Sequence, residues 1–241
     1  RRRPSKKSGG QRHSRNHRPR AGGPCRPEME RRNRPESACI QLNQRIRYNK
    51  LRKLKKAKKF IFMEYFIVEE GYMWETILDI LKEKAAEGVE VRFMYDGMCA
   101  ISMLPYDYPE LIRSYGIQCK MSNKITPFLS TSQNNRDHRK ICVIDGKVAY
   151  TGGVNLGDEY INRKVRFGHW KDTAVMLKGD AVWELTRMFL QLWHMASNTL
   201  PYPDEEYIQF LPNLCKIKNN GGYIIPYSDI PTFGANNAEN L

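Results

Sequence analysis

Residues 60–96 read FIFMEYFIVEEGYMWETILDILKEKAAEGVEVRFMYD. The opening run, Phe60–Val68, is short, aromatic and β-branched, which predicts a buried strand. Gly71 then starts a helical period that runs through Glu87 and puts Trp74, Ile77, Leu78 and Leu81 on one inner face, with Gly88 as its stop. Val89–Tyr95 alternates apolar and polar side chains, the period of a second strand. A strand, a helix and a strand in that order predict two parallel strands joined by a right-handed crossover.

Working outward, Tyr108–Tyr115 reads as another helix and Gly116–Met121 as another strand. After a polar loop with Asn134, Asn135 and Arg136, the runs Ile141–Ile144 and Val148–Thr151 flank Asp145-Gly146, a strong hairpin signal. Asp172–Leu177 predicts a further strand, and Ala181–Met195 an amphipathic helix carrying Trp183, Leu185, Phe189, Leu190 and Trp193. Towards the N-terminus, Leu42–Lys59 has helical spacing, with Leu42, Ile46, Leu51 and Leu54 on one side. Nine Lys/Arg between Arg45 and Lys59 meet no acid, and form either a solvated helix face or a surface for anionic lipid headgroups. The class is α/β, a mixed sheet with helices on its faces. The expected division is a disordered basic tail over 1–38, a catalytic domain over 39–200, and an extension towards a further domain over 201–241, where Pro, Asn and Gly become frequent.

The chain has 241 residues, 41% of them hydrophobic, enough for one core of about 150–200 residues. No apolar stretch approaches the roughly 20 residues of a spanning helix, and no apolar segment of a signal peptide is present. The formal net charge is +14, yet residues 1–36 hold 13 Lys+Arg against 3 Asp+Glu. The high pI thus describes mostly a tail, which weakens any inference from charge to nucleic-acid binding. Such an Arg-, Pro- and Gly-rich tail cannot bury enough apolar surface to order itself. Six cysteines (Cys25, Cys39, Cys99, Cys119, Cys142, Cys215) form no CxxC pair and have no His at zinc spacing. A reducing compartment, no metal site and a buried free thiol at Cys142 are the expectations.

Chemistry concentrates in Asp137-His138-Arg139-Lys140-Ile-Cys-Val-Ile-Asp145-Gly146-Lys-Val-Ala-Tyr-Thr-Gly152-Gly153-Val154-Asn155. On a strand His138 and Lys140 project to the same side. Gly152-Gly153 would let the backbone approach whatever those two side chains hold, and Asn155 adds an uncharged donor. An imidazole, an ammonium and an amide around a small-residue turn suit a phosphoryl group: the imidazole attacks phosphorus while Lys and Asn neutralise the equatorial oxygens. A lone surface histidine beside a solvated lysine on a hairpin fits the spacing equally well.

The full pattern (His-x-Lys, four residues, Asp, six residues, Gly-Gly, x, Asn) resembles the motif of the phospholipase D superfamily. Gly153, in place of the commoner Ser, resembles the first motif of bacterial cardiolipin synthases. The blocks AKKFIFMEYFIVEEGYMWETIL, EGVEVRFMYD, NNRDHRKICVIDGKVAYTGGVNLGDEYIN and FGHWKDTAVMLKGDAV are similar to that family as well, and the resemblance covers about residues 42–230. It implies His138, Lys140 and Asp145 as the catalytic motif, with His138 as nucleophile or partner acid/base and Asp145 holding the hairpin. It implies Lys140, Asn155, Gly152 and Gly153 around the substrate phosphate. Asp172 either orients His138 or is a strand-end turn residue. Asp158 and Glu159 line the entrance or, the better reading, form a solvated turn.

The implied reaction needs no cofactor. A histidine attacks one phosphatidylglycerol, glycerol leaves, and a second phosphatidylglycerol attacks the phosphohistidine to give cardiolipin. The implied partners are phosphatidylglycerol, an anionic membrane surface, and either a second phospholipase D-like domain or a second copy of the chain; nucleic acid is disfavoured. The implied location of the full-length protein is the cytoplasmic face of the cell membrane. The superfamily builds its site from two motifs and this chain carries one, for His169 precedes Trp170-Lys171 without the Asp-turn-Gly series. The chain therefore reads as the N-terminal catalytic half of a longer protein, with a dimeric nucleic-acid phosphodiesterase and an inactive lipid-binding half as alternatives.

Overall fold

The computed structural model describes residues 37–97, 99–122, 137–196 and 224–227. The expected disordered tail up to residue 36, the polar loop around Asn135 and most of the extension after residue 200 lie outside the described residues. The strand–helix–strand reading decides the rest. Strand β2 (Phe60–Tyr65) pairs in parallel with β3 (Glu90–Asp96), and helix α2 (Tyr72–Ala86) joins them. After two short helices, α3 (Cys99–Ser102) and α4 (Tyr108–Ser114), β4 (Gln118–Ser122) adds in parallel outside β3. On the other side of β2 lies β5 (Lys140–Ile144), antiparallel to it. Strands β6 (Val148–Gly152) and β7 (Thr173–Lys178) follow by antiparallel pairing, and helix α5 (Ala181–Met195) closes the described fold. With β1 (Ser37–Leu42) at one edge, the sheet formed by the described residues is mixed and seven-stranded, in the order β1-β7-β6-β5-β2-β3-β4.

Alternation along β2 separates two apolar layers. Ile61, Met63 and Tyr65 face a cluster that includes Leu54, Trp74, Ile77, Leu81 and Ile112. Phe60 and Phe62 face α5, where the Phe62 and Phe189 rings stack at 4.9 Å. Every residue of β2 and of β5 is buried, so these strands are the centre of the sheet. Trp74 stacks on Phe93 at 4.6 Å, and truncating a ring so buried costs about 3–5 kcal/mol.

The start of the domain departs from expectation. A strand, β1 (Ser37–Leu42), pairs antiparallel with β7 and begins inside the segment assigned to the tail. Its partner lies more than 130 residues along the chain, so no local period announces it. Helix α1 spans Asn43–Leu54, not Leu42–Lys59, because the amides of Lys58, Lys59 and Phe60 are drawn out of helix to the Asp145 carboxylate.

Candidate active site

Lys140 is the first residue of β5 and lies opposite Tyr65 of β2. His138 precedes the strand and is exposed. What gathers the two is Phe66, half-buried just beyond β2: the His138 ring stacks on it at 3.8 Å and 27°, and the Lys140 Nζ lies 5.2 Å from its centroid. The Lys140 ammonium also donates to the His138 carbonyl oxygen. Phe66 was not singled out from the sequence, where it reads as one more apolar residue of a strand. Its place one residue past the strand end, where the pleat stops, is the signal that could have marked it.

Arg139, between them, points to the opposite face. Its guanidinium sits 3.0 Å from Glu64 Oε1 and 2.6 Å from Asp137 Oδ2, and its backbone N–H donates to Asp137 at 2.9 Å. Burial pushes the Glu64 carboxyl well above its ordinary value, with Arg139 pulling it back down. This clamp fixes the backbone on both sides of His138. Lys140 is 9% exposed; burial lowers its pKa, and the carboxylates of Asp137 and Asp172 oppose that shift. A cation so placed gains more from an incoming anion than one in water does.

Gly152 and Gly153 are required by the neighbouring strand. A Cβ on Gly152 (φ 145°) would lie 2.6 Å from the Thr173 oxygen and from Ala174 Cα. A Cβ on Gly153 would lie 2.2 Å from Asp172 Oδ1. The close approach expected at these glycines is therefore made by β7 and by the Asp172 carboxylate. That carboxylate accepts from the Thr173 N–H at 2.7 Å, and Trp170 Nε1 stands 3.5 Å from it.

Asn155 is 3% exposed. Its Oδ1 accepts from the Ile67 N–H at 3.0 Å, and its Nδ2 donates to the Tyr160 hydroxyl at 2.8 Å. The amide thus pins the backbone next to Phe66. Asp145 lies at the far end of β5 from Lys140, at φ 53° in the hairpin turn, and its carboxylate accepts from the N–H groups of Lys58, Lys59 and Phe60 at 2.8–3.2 Å. It holds the hairpin against the start of β2.

Asp158 and Glu159 do not form a solvated turn. Asp158 accepts from the N–H groups of Tyr72 (3.1 Å) and Met73 (2.7 Å), and so caps α2 from outside the helix. Glu159 is 2% exposed, pushed upward in pKa by burial, with Arg166 at 3.5 Å. The basic run of α1 is not wholly a solvated or lipid-facing surface either. Lys50 is buried, donates to the Tyr65 hydroxyl at 3.0 Å, and lines a small cavity with Arg47, Lys140 and Tyr150. No acid lines that cavity. Burial lowers the Lys50 pKa to about 8. Among the described residues, no group of three His, Cys, Asp or Glu could hold a metal ion. Cys142 is a buried free thiol, as the sequence predicts.

A family model described as cardiolipin synthase, phospholipase D-like domain, matches residues 51–193. An uncharacterized protein of Streptococcus mutans is 53% identical over 191 residues, covering 78% of this chain and 40% of that protein. The cardiolipin synthase of Alkalihalophilus pseudofirmus is 40% identical over 173 residues, covering 71% of this chain and 34% of that protein. The chain therefore spans about two fifths or less of the length of these relatives. Among solved structures, the phosphatidylserine synthase of Haemophilus influenzae superposes with a TM-score of 0.52 at 14% identity, over 74% of this chain and 44% of that one, a likeness of fold.

Proposed function

Since the chain belongs to the cardiolipin synthase, phospholipase D-like domain family, we propose that it is one catalytic half of a phosphatidyl-transferring enzyme, with phosphatidylglycerol as donor and acceptor. The observation that carries this reading is the convergence of His138 and Lys140 on the Phe66 ring. The His138 imidazole attacks the phosphorus of the donor, a P–N bond forms, and the P–O bond to glycerol breaks. Glycerol leaves with a proton from a second histidine, supplied by a second phospholipase D-like domain or by another copy of this chain. The acceptor's glycerol hydroxyl then gives up its proton to that second histidine and displaces His138, restoring the imidazole and forming cardiolipin.

Lys140 neutralises the equatorial oxygens from a half-dry position, where its charge acts at full strength. The second N–H of Asn155 Nδ2, beside the one spent on Tyr160, serves the same phosphate. Asp172, seated against Gly153, keeps Lys140 charged and orients His138. Stacking on Phe66 limits the imidazole to rotations within its own plane, so less freedom is lost on attack. Among the described residues no helix is long and apolar enough to cross a membrane. The reading places the full-length protein at the cytoplasmic face of the cell membrane.

The test is lipid mass spectrometry of phosphatidylglycerol vesicles incubated with the chain and, separately, with His138→Ala. Cardiolipin and glycerol from the first and not the second support the transferase. Phosphatidic acid alone replaces transfer with hydrolysis. No product from the chain, even after addition of the adjoining domain, refutes the reading.

A further inference from the structure

The segment from Asn162 to Trp170 is a loop closed at its neck. Asn162, at φ 59°, donates from Nδ2 to the Trp170 carbonyl at 2.9 Å and accepts from the Trp170 N–H at 2.6 Å. Residues 163–169 between those two are all exposed. Their sequence, Arg163-Lys164-Val165-Arg166-Phe167-Gly168-His169, interleaves cations with apolar residues and holds no acid. Val165 is 80% and Phe167 78% exposed, more than an apolar side chain needs to be in a loop so firmly held. The neck rests on the candidate active site. The Trp170 ring lies 4.9 Å from Tyr160, whose hydroxyl accepts from Asn155, and Asp172 two residues on sits against Gly153.

We propose that Arg163–His169 is the element that seats this chain on an anionic lipid surface, Val165 and Phe167 entering the acyl boundary while Arg163, Lys164 and Arg166 meet headgroup phosphates. The proposal rests on the phosphatidyl-transfer reading and extends it from the reaction to the way the lipid reaches the site. The alternation is what selects a membrane. Nucleic acid would engage the cations and stack a base on Phe167 but leave the aliphatic Val165 in water, whereas a bilayer interface receives all of these side chains at one depth. The loop's cations are held for exchange: Lys164 lies against Glu69, Arg166 against Glu159, and Arg163 stacks on the Tyr72 ring at 3.5 Å. The Lys164–Glu69 pair lies at the surface and is weak, so a headgroup phosphate can take the place of Glu69, and the exposed Arg166 can meet a phosphate while one of its nitrogens stays on the buried Glu159. The pinned neck means that the loop loses little conformational freedom on insertion.

The experiment is co-sedimentation of the full chain with phosphatidylglycerol vesicles and with phosphatidylcholine vesicles, comparing wild type, the double variant Val165→Asp/Phe167→Asp, and His138→Ala. The expected result is at least about a tenfold loss of binding to phosphatidylglycerol vesicles for the double variant, with unchanged circular dichroism and melting, and full binding by His138→Ala. Turnover of a short-chain phosphatidylglycerol kept below its micelle concentration should be the same in the double variant as in wild type. Vesicle binding is read without turnover, so an inactive chain would sink the reaction and leave this inference standing. Unchanged vesicle binding by the double variant overturns the inference. So does a double variant that loses an oligonucleotide, or a second copy of the chain, while keeping the vesicles.

Discussion

Lys50 is a buried ammonium with no carboxylate in its cavity, and that arrangement has a measurable cost. Its ordinary pKa of 10.5 falls to about 8 in the folded chain, chiefly because burial strips its water and secondarily because Arg47 is near. The unfolded chain therefore binds the proton more tightly than the folded chain does. Below pH 8 the full penalty applies, and it is relieved as pH rises from about 8 to 10.5, so this group makes stability increase with pH across that window. A shift of this size corresponds to about 3 kcal/mol. Lys50→Met keeps the apolar stem and removes the charge, while leaving the Tyr65 hydroxyl without its donor, at a loss of about 1 kcal/mol. The variant should then be more stable than wild type by about 2 kcal/mol at pH 7 and less stable by about 1 kcal/mol near pH 10.5. Urea denaturation of both proteins at a series of pH values reads the difference, in which the titrations common to both cancel. A difference that stays constant from pH 7 to 10.5 would refute the reasoning, and so would a variant less stable at pH 7.

Gly153→Ala should drive the Asp172 carboxylate from its seat, because the new Cβ would meet it at 2.2 Å. Asp172 raises the Lys140 pKa, so its displacement should move the alkaline limb of the pH–rate profile of phosphatidyl transfer to lower pH, and an unmoved limb would contradict the placement. Asp145→Ala leaves three backbone N–H groups without their charged acceptor and should cost roughly 3 kcal/mol in urea denaturation, with Asp145→Asn in between. Phe66→Leu should keep the fold and lower kcat by about tenfold with little change in KM, since it frees the His138 ring without touching substrate; equal loss in both constants would assign Phe66 to substrate binding. Cys142, pushed up to about 12 by burial, should resist a thiol reagent at pH 8 until the chain unfolds, which a spectrophotometric thiol assay in native buffer and in urea decides.

Local signals carried much of the architecture. The strand–helix–strand over 60–96 was legible because its periods, 2 and 3.6, belong to contiguous residues, and Ala181–Met195 forms α5 with the bounds its apolar stripe predicts. The Asp145-Gly146 pair gave the hairpin because both residues must take positive φ, and they do, at 53° and 61°. Distant pairings left no such trace. Strand β1 depends on β7 and the cap of α2 on Asp158, each across a separation that no window of sequence spans, and the burial of Lys50 depends on the Tyr65 hydroxyl in a different element. At the candidate site, the motif named His138, Lys140 and Asn155 but not Phe66, whose importance comes from standing where the sheet ends. Gly152 and Gly153 were legible as glycines that something approaches, although not as glycines approached by β7 and Asp172.

Strand β2 is stitched at both ends to one hairpin. At its start, Lys58, Lys59 and Phe60 give their amides to Asp145, and Asp145 returns its own N–H to the Phe60 carbonyl. Past its end, Ile67 donates to Asn155, Leu156 donates to Ile67, and Glu69 to Leu156. These ties close loops of 85 to 89 residues, whose entropy must be met before any of them forms. Phe66 has no fixed position until the second set closes, and His138 has no platform until Phe66 is in place. The reactive geometry thus depends on contacts of long sequence separation, and it arrives with the finished fold and not ahead of it. A nascent chain that has emerged only as far as β4 would carry a formed parallel core and no chemistry at all.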